Sequence, residues 1–177
     1  MLSYATDRAY RGVGDMPPLG IRMMASLELA LSAGELKLTS TDPDEQPFLD
    51  YRYFQKEEDL RRMREAVRLC VSLGEHEQFN DIVESRIEPT DEELASDEDL
   101  NTYMIREVTT GQHISGTCKM GPDSDDMAVV NQFGRVRGIQ NLRIVDASIM
   151  PDCIRANTNV TTMMIAERVS DFIKDGK

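Results

Sequence analysis

The side chains able to take a proton or hold a substrate oxygen are few in this sequence, and the most suggestive lie in its last third. Only two histidines are present. His76 stands at the end of an amphipathic segment among Gly74, Glu75 and Glu77, where a solvated capping role suits it best. His113 is placed differently. It closes the run Thr109-Thr110-Gly111-Gln112-His113 and is followed by Ser115-Gly116-Thr117, small and polar residues suited to tight backbone close to a ligand. Composition leaves two readings of His113, an ordinary hydrogen-bonded histidine and a proton acceptor, and favours the first. Asn157, Thr158 and Asn159 immediately precede an apolar run, so Asn157 reads as a helix cap.

Several chemistries are excluded by what these residues lack around them. His113, Ser115 and Asp146 are the types of a serine hydrolase triad, yet Ser115 is two residues from His113 and no G-x-S-x-G elbow presents a nucleophile. Two distant histidines supply no three-ligand metal set, and Cys70, Cys118 and Cys153 form neither a CxxC pair nor a disulfide framework. No metal site is expected. A dinucleotide fold needs a strand leading into GxGxxG at a helix start. Here Gly12-Val13-Gly14 runs into Asp15-Met16-Pro17-Pro18, which opens no such helix. A net charge of -12, from 32 acidic and 20 basic residues, repels nucleic acid and anionic membrane surfaces. Much of the excess falls between Glu84 and Asp99, a solvated surface by composition.

The elements that must position these residues can be sketched from periodicity. Leu36 and Leu38 alternate with Glu35, Lys37 and Thr39, the pattern of a half-buried strand; Thr41-Asp42-Pro43-Asp44 turns it, and Phe48 to Phe54 continues a sheet. Leu60, Met63, Val67, Cys70 and Val71 recur at helical spacing between Lys56 and Glu75. Thr90 with Glu93, and Ser96 with Asp99, mark two successive helix starts. Ala128 to Phe133 and Leu142 to Asp146 are β-branched enough for strands, and Val160, Met164, Val169, Phe172 and Ile173 outline a closing helix. Strands mixed with helices without regular alternation predict an α+β fold, a mostly antiparallel sheet flanked by helices with no Rossmann domain. A chain of 177 residues is read as a single domain spanning 1–177. No apolar run has membrane-span or signal-peptide length, and the thiols are unpaired, so a soluble cytoplasmic protein is expected.

Taken in order, His113-Ile114-Ser115-Gly116-Thr117-Cys118-Lys119-Met120-Gly121, Val145-Asp146-Ala147-Ser148-Ile149-Met150-Pro151 and Ala156-Asn157-Thr158-Asn159-Val160 resemble the carboxy-terminal signature of the glucose-methanol-choline family of flavin-dependent alcohol oxidases and dehydrogenases. Ser32-Ala33-Gly34 through Asp42-Pro43, and Gly134-Arg135-Val136-Arg137-Gly138 with Asn141 to Asp146, extend the likeness over about residues 20 to 174; Ala33 stands where an arginine is common in the family. The resemblance implies the family's substrate-binding, choline dehydrogenase-like carboxy-terminal portion, without the amino-terminal FAD-binding domain.

By that resemblance His113 is the base that takes the alcohol proton. Asn157, eleven residues after Asp146, is the second active-site position and holds the substrate oxygen. Asp146 and Ala147 would contact the ribityl and phosphate region of FAD, and Asn159 and Val160 its ring. If His113 and Asn157 share one substrate oxygen, their polar atoms should lie roughly 4 to 6 Å apart. The implied activity is oxidation of a CH-OH group by proton abstraction and hydride transfer to flavin. The alternatives are the substrate subunit of a split enzyme and a non-catalytic remnant acting as a binding module. The partners expected are an FAD-binding domain in cis or in trans, a small alcohol, and a second copy of the chain through the apolar surface a flavin domain would cover. The chain alone is expected not to retain FAD.

Overall fold

The computed structural model describes residues 21–177. The Gly12-Val13-Gly14 segment and the amino-terminal reading lie outside them. The chain separates into two compact units. One comprises Tyr51–Thr109 and Leu31–Gly34 with the described residues through Leu27; the other comprises Thr110–Lys177, Glu35–Asp50 and Glu28–Ala30.

The first unit is helical. Helix α1, Glu57–Gly74, is the amphipathic segment anticipated from periodicity, and Glu57, Glu58 and Asp59 in its first turn oppose the positive end of its dipole. Helix α2, Asp97–Glu107, starts at Ser96, whose hydroxyl oxygen accepts from Asp99 N–H at 3.1 Å. It packs on α1 and buries Leu100 and Met104. The expected helix after Thr90 does not form. Thr90 and Glu93 do exchange the reciprocal bonds of a capping box, at 2.8 and 3.3 Å, but the chain from Asp91 to Leu94 closes only turns. With Ser96 capping α2 so soon after, no length remains for a helix to propagate.

A buried polar anchor ties this unit together. Asp59 is 1% exposed, and its carboxylate accepts from Leu31 N–H at 3.0 Å, Ser32 N–H at 2.7 Å and Ser32 Oγ at 2.6 Å. Burial pushes this carboxyl up, but the bonds from Leu31 and Ser32 and the charge of Arg62 outweigh it, and its pKa falls below the ordinary value. The Arg64 guanidinium, also buried, reaches Glu57 at 2.8 Å, Asn101 at 2.8 Å and Asp97 at 3.3 Å. The acidic stretch is correspondingly part paired: Asp97 also meets Arg68 at 2.7 Å, and Glu93 meets Arg106 at 2.8 Å.

In the second unit β1, Glu35–Lys37, and β2, Phe48–Asp50, form an antiparallel hairpin in which Leu36 lies opposite Leu49. Glu45 N–H closes the intervening turn on the Asp42 carbonyl at 3.2 Å. Strand and helix thus coexist as expected for α+β, but the sheet among the described residues has two strands rather than a broad antiparallel array.

The segments expected as strands at 128–133 and 142–146 make single bridging pairs instead: Met120 with Val130 in parallel, Val130 with Val136 and Arg135 with Arg143 antiparallel. Sharp turns explain the brevity. Gly134 takes φ 71°, and a Cβ there would stand 2.9 Å from the Ile144 carbonyl oxygen, so the chain turns where only glycine fits. Val130, fully buried, anchors this irregular core with Ala128, Ile149, Met150 and Val169.

Helix α3, Thr158–Lys174, closes the unit. Val169 is buried and Phe172 meets Phe133 edge-on, centroids 5.0 Å apart. Its amino-terminal half behaves otherwise: Val160, Met163 and Met164 are all more than half exposed. No described helix is long and apolar enough to cross a membrane.

Candidate active site

The segment carrying His113 is held by a short backbone ladder. Gly116 N–H donates to the Ala147 carbonyl at 3.3 Å, Cys118 N–H to Ser148 at 2.9 Å and Met120 N–H to Ile149 at 2.8 Å. Gly116 adopts φ 80°, and a Cβ added there would lie 3.4 Å from the Met150 carbonyl oxygen. The contact is an ordinary one, and it is the positive φ that calls for a glycine between His113 and Thr117. Just before the histidine, Gln112 takes φ 60°, a left-handed conformation that costs a residue with a side chain on the order of 1 kcal/mol. The same turn directs the chain into His113.

The other strand of the ladder leads to the second residue. Asp146 begins a 3-10 turn, Ala147–Ile149, and its carboxylate accepts from Ser148 N–H at 2.8 Å. The buried Ile149 and Met150 fix this turn in the core, and the chain then runs to α3. Asn157 occupies the N-cap position of α3, as the capping reading expected, but its side chain makes no capping bond. It reaches His113 instead. Asn157 Oδ1 lies 2.6 Å from His113 Nε2, across forty-four residues of sequence. The two polar atoms are closer than the 4 to 6 Å expected of a pair bridged by a substrate oxygen, because they hydrogen-bond each other directly.

Thr158 adds a contact that sequence reasoning missed. Its Oγ1 lies 3.4 Å from His113 Nδ1, so consecutive residues at the start of α3 touch both ring nitrogens. Residue type alone gave no signal, because a threonine after an N-cap is an ordinary helix start.

As the amide stands, Asn157 Oδ1 can only accept. A neutral imidazole in this arrangement carries its proton on Nε2 and receives the Thr158 hydroxyl at Nδ1. Asn159 and Val160 follow in the first turn of α3, both exposed. That turn contains no acidic side chain, and Asn157, engaged with His113, leaves its N–H groups without a side-chain cap among the described residues. The result is a part-exposed imidazole beside an exposed amide and an open helix amino terminus, a set able to exchange a proton with a hydroxyl and to stabilise negative charge nearby.

Other candidates have structural places. His76 caps a one-turn 3-10 helix, Glu77–Phe79, accepting from Gln78 N–H on Nδ1 at 3.2 Å. Lys119, inside the His113 motif, pairs with Asp125 at 2.7 Å and holds that carboxyl below its ordinary pKa. No group of three or more His, Cys, Asp or Glu side chains able to hold a metal occurs among the described residues.

With this geometry in hand, comparison with known proteins is specific. A family profile described as GMC oxidoreductase matches residues 30–166. Oxygen-dependent choline dehydrogenase from Proteus mirabilis is 39% identical over 143 residues, covering 81% of this chain and 25% of its own length. Among solved structures, a formate oxidase superposes with a TM-score of 0.73 at 31% identity, over 81% of this chain and 25% of that one. Pyridoxine 4-oxidase from Mesorbium loti gives 0.68 at 26% identity, over 78% and 26%. The chain spans about a quarter of the length of these proteins.

Proposed function

The chain belongs to the GMC oxidoreductase family, and from that premise we propose that it is the substrate-binding and catalytic portion of an FAD-dependent enzyme that oxidises a CH-OH group. The observation that carries this reading is the 2.6 Å contact between His113 and Asn157, which local structure could not produce across forty-four residues.

In this reading His113 Nε2 is the proton acceptor. A substrate hydroxyl displaces the Asn157 oxygen from the ring, the part-exposed imidazole gives its Nε2 proton to solvent water as Nδ1 takes one up, the amide turns its Nδ2 hydrogens toward the substrate oxygen, and Nε2 presents a lone pair to the hydroxyl proton. Removing that proton raises electron density on the oxygen and makes the adjacent C–H a stronger hydride donor. Asn157 stabilises the developing negative oxygen without competing for its proton.

FAD, when bound, would supply the hydride acceptor. The residues present fit it: the uncapped first turn of α3 offers N–H groups and a positive dipole end to a ring that gains negative charge on reduction, and Val160 offers an exposed apolar surface. Asp146, Ala147, Asn159 and Val160 are the residues that would hold it. The exposed Leu36, Leu38, Phe48, Val160, Met163 and Met164 support a flavin-binding part that covers these surfaces, joined in cis or supplied in trans.

The test is His113→Gln in the flavin-loaded enzyme that contains this chain. A loss of kcat/KM of roughly a hundredfold or more is expected. A loss below about threefold would remove the base assignment from His113.

A further inference from the structure

We propose that Thr158 is a positioning residue for His113, holding the ring through Nδ1 while the Nε2 edge works on substrate. The inference rests on the reading of His113 as the base and assigns a role to a residue outside that reading.

His113 sits part-exposed on a loop, so its ring orientation depends on hydrogen bonds. Among the described residues, two side chains hydrogen-bond to it. Asn157 meets Nε2 at 2.6 Å and Thr158 Oγ1 meets Nδ1 at 3.4 Å. The first of these contacts is the one a substrate hydroxyl must displace, since both compete for the same nitrogen. During reaction the ring is therefore left with Thr158.

A threonine is chemically matched to that duty. When Nε2 carries the proton and faces the Asn157 oxygen, Nδ1 has a lone pair, and the Thr158 hydroxyl donates to it. When Nε2 must offer its own lone pair to substrate, Nδ1 carries the proton, and the same hydroxyl turns to accept it. A hydroxyl serves both tautomers because it is donor and acceptor at once; a backbone carbonyl in that place would favour one. The hydroxyl is itself held, since Thr158 is β-branched and lies in the first turn of α3, where χ1 freedom is small. Thr162 Oγ1 donates to the Thr158 carbonyl at 2.9 Å, a bond to the backbone that leaves the Thr158 hydroxyl able to rotate.

Two measurements on Thr158→Val and Thr158→Ser decide the matter. In the 177-residue chain labelled with nitrogen-15 histidine, only His76 and His113 contribute imidazole signals, so assignment is direct and His76 serves as an internal control. Thr158→Val should move the His113 Nδ1 resonance toward that of an unbonded imidazole and leave His76 in place; Thr158→Ser should keep it near the parent position. In the flavin-loaded enzyme containing this chain, Thr158→Val should lower kcat about tenfold while KM changes less than about twofold, and Thr158→Ser should recover kcat to within about threefold.

An unmoved His113 resonance in Thr158→Val overturns the contact. An unchanged kcat overturns the positioning role, as does a serine variant no better than valine. The two layers separate: if His113→Gln retains activity the base assignment fails, while the nitrogen-15 comparison still reports on Thr158 and His113.

Discussion

Two polar junctions, one in each unit, show how differently a fold treats a charge that holds it together and a group that works. Asp59 is 1% exposed and saturated, its two oxygens filled by the N–H groups of Leu31 and Ser32 and by the Ser32 hydroxyl. His113 and Asn157 meet through one exposed hydrogen bond, and the amide forgoes the helix cap its position offers. A buried group left unsatisfied destabilises the fold, so Asp59 is surrounded by donors. A substrate-binding group must be able to change partners, so His113 and Asn157 keep solvent access and a single exchangeable bond.

The comparison breaks if the two junctions respond alike to truncation. Asp59→Ala strands the Leu31 and Ser32 donors and should cost on the order of 3 kcal/mol of folding stability in urea denaturation. His113→Ala should change the same measurement by less than about 0.5 kcal/mol. Comparable losses at both sites would make His113 a structural residue like Asp59.

A smaller effect sharpens the contrast through pH. The folded pKa of Asp59 lies below its unfolded value, which is about 3.9. Its contribution is therefore fully present above about pH 4 and is lost as pH falls through the lower folded value. The stability gap between the parent protein and Asp59→Asn should accordingly narrow on acidification below about pH 4, followed by urea midpoints at stepped pH. A gap that widens with acid would contradict the charged, hydrogen-bonded state assigned to Asp59.

These two junctions also differ in how far the sequence announced them. α1 was legible because Leu60, Met63, Val67, Cys70 and Val71 repeat at helical spacing, and its observed span, Glu57–Gly74, follows that stripe. Asp59 was not legible: an acidic residue in a first helical turn is ordinary, and its partners Leu31 and Ser32 lie twenty-seven or more residues away. The segments around Val130 and Leu142 carried strand propensity, but propensity says nothing of the glycine turns that limit them to single bridges. Burial was the least legible feature. Leu36 and Leu38 alternate as a half-buried strand should, and Val160 and Met164 sit where an amphipathic helix packs, yet all four are exposed. His113 and Asn157 were found through their resemblance to a family motif, whereas periodicity alone gave a loop histidine and a helix cap.

The central claim is that His113 and Asn157 act together on one substrate oxygen, and a double-mutant cycle on kcat/KM in the flavin-loaded enzyme containing this chain tests it most directly. Groups that share one atom of the transition state lose their value together. With His113→Gln costing roughly a hundredfold or more and Asn157→Ala about tenfold, the double variant should be little worse than His113→Gln alone, a coupling of at least about 1 kcal/mol. Losses that multiply, with the two free-energy changes adding to within about 0.5 kcal/mol, would show that the residues act independently and would contradict the account.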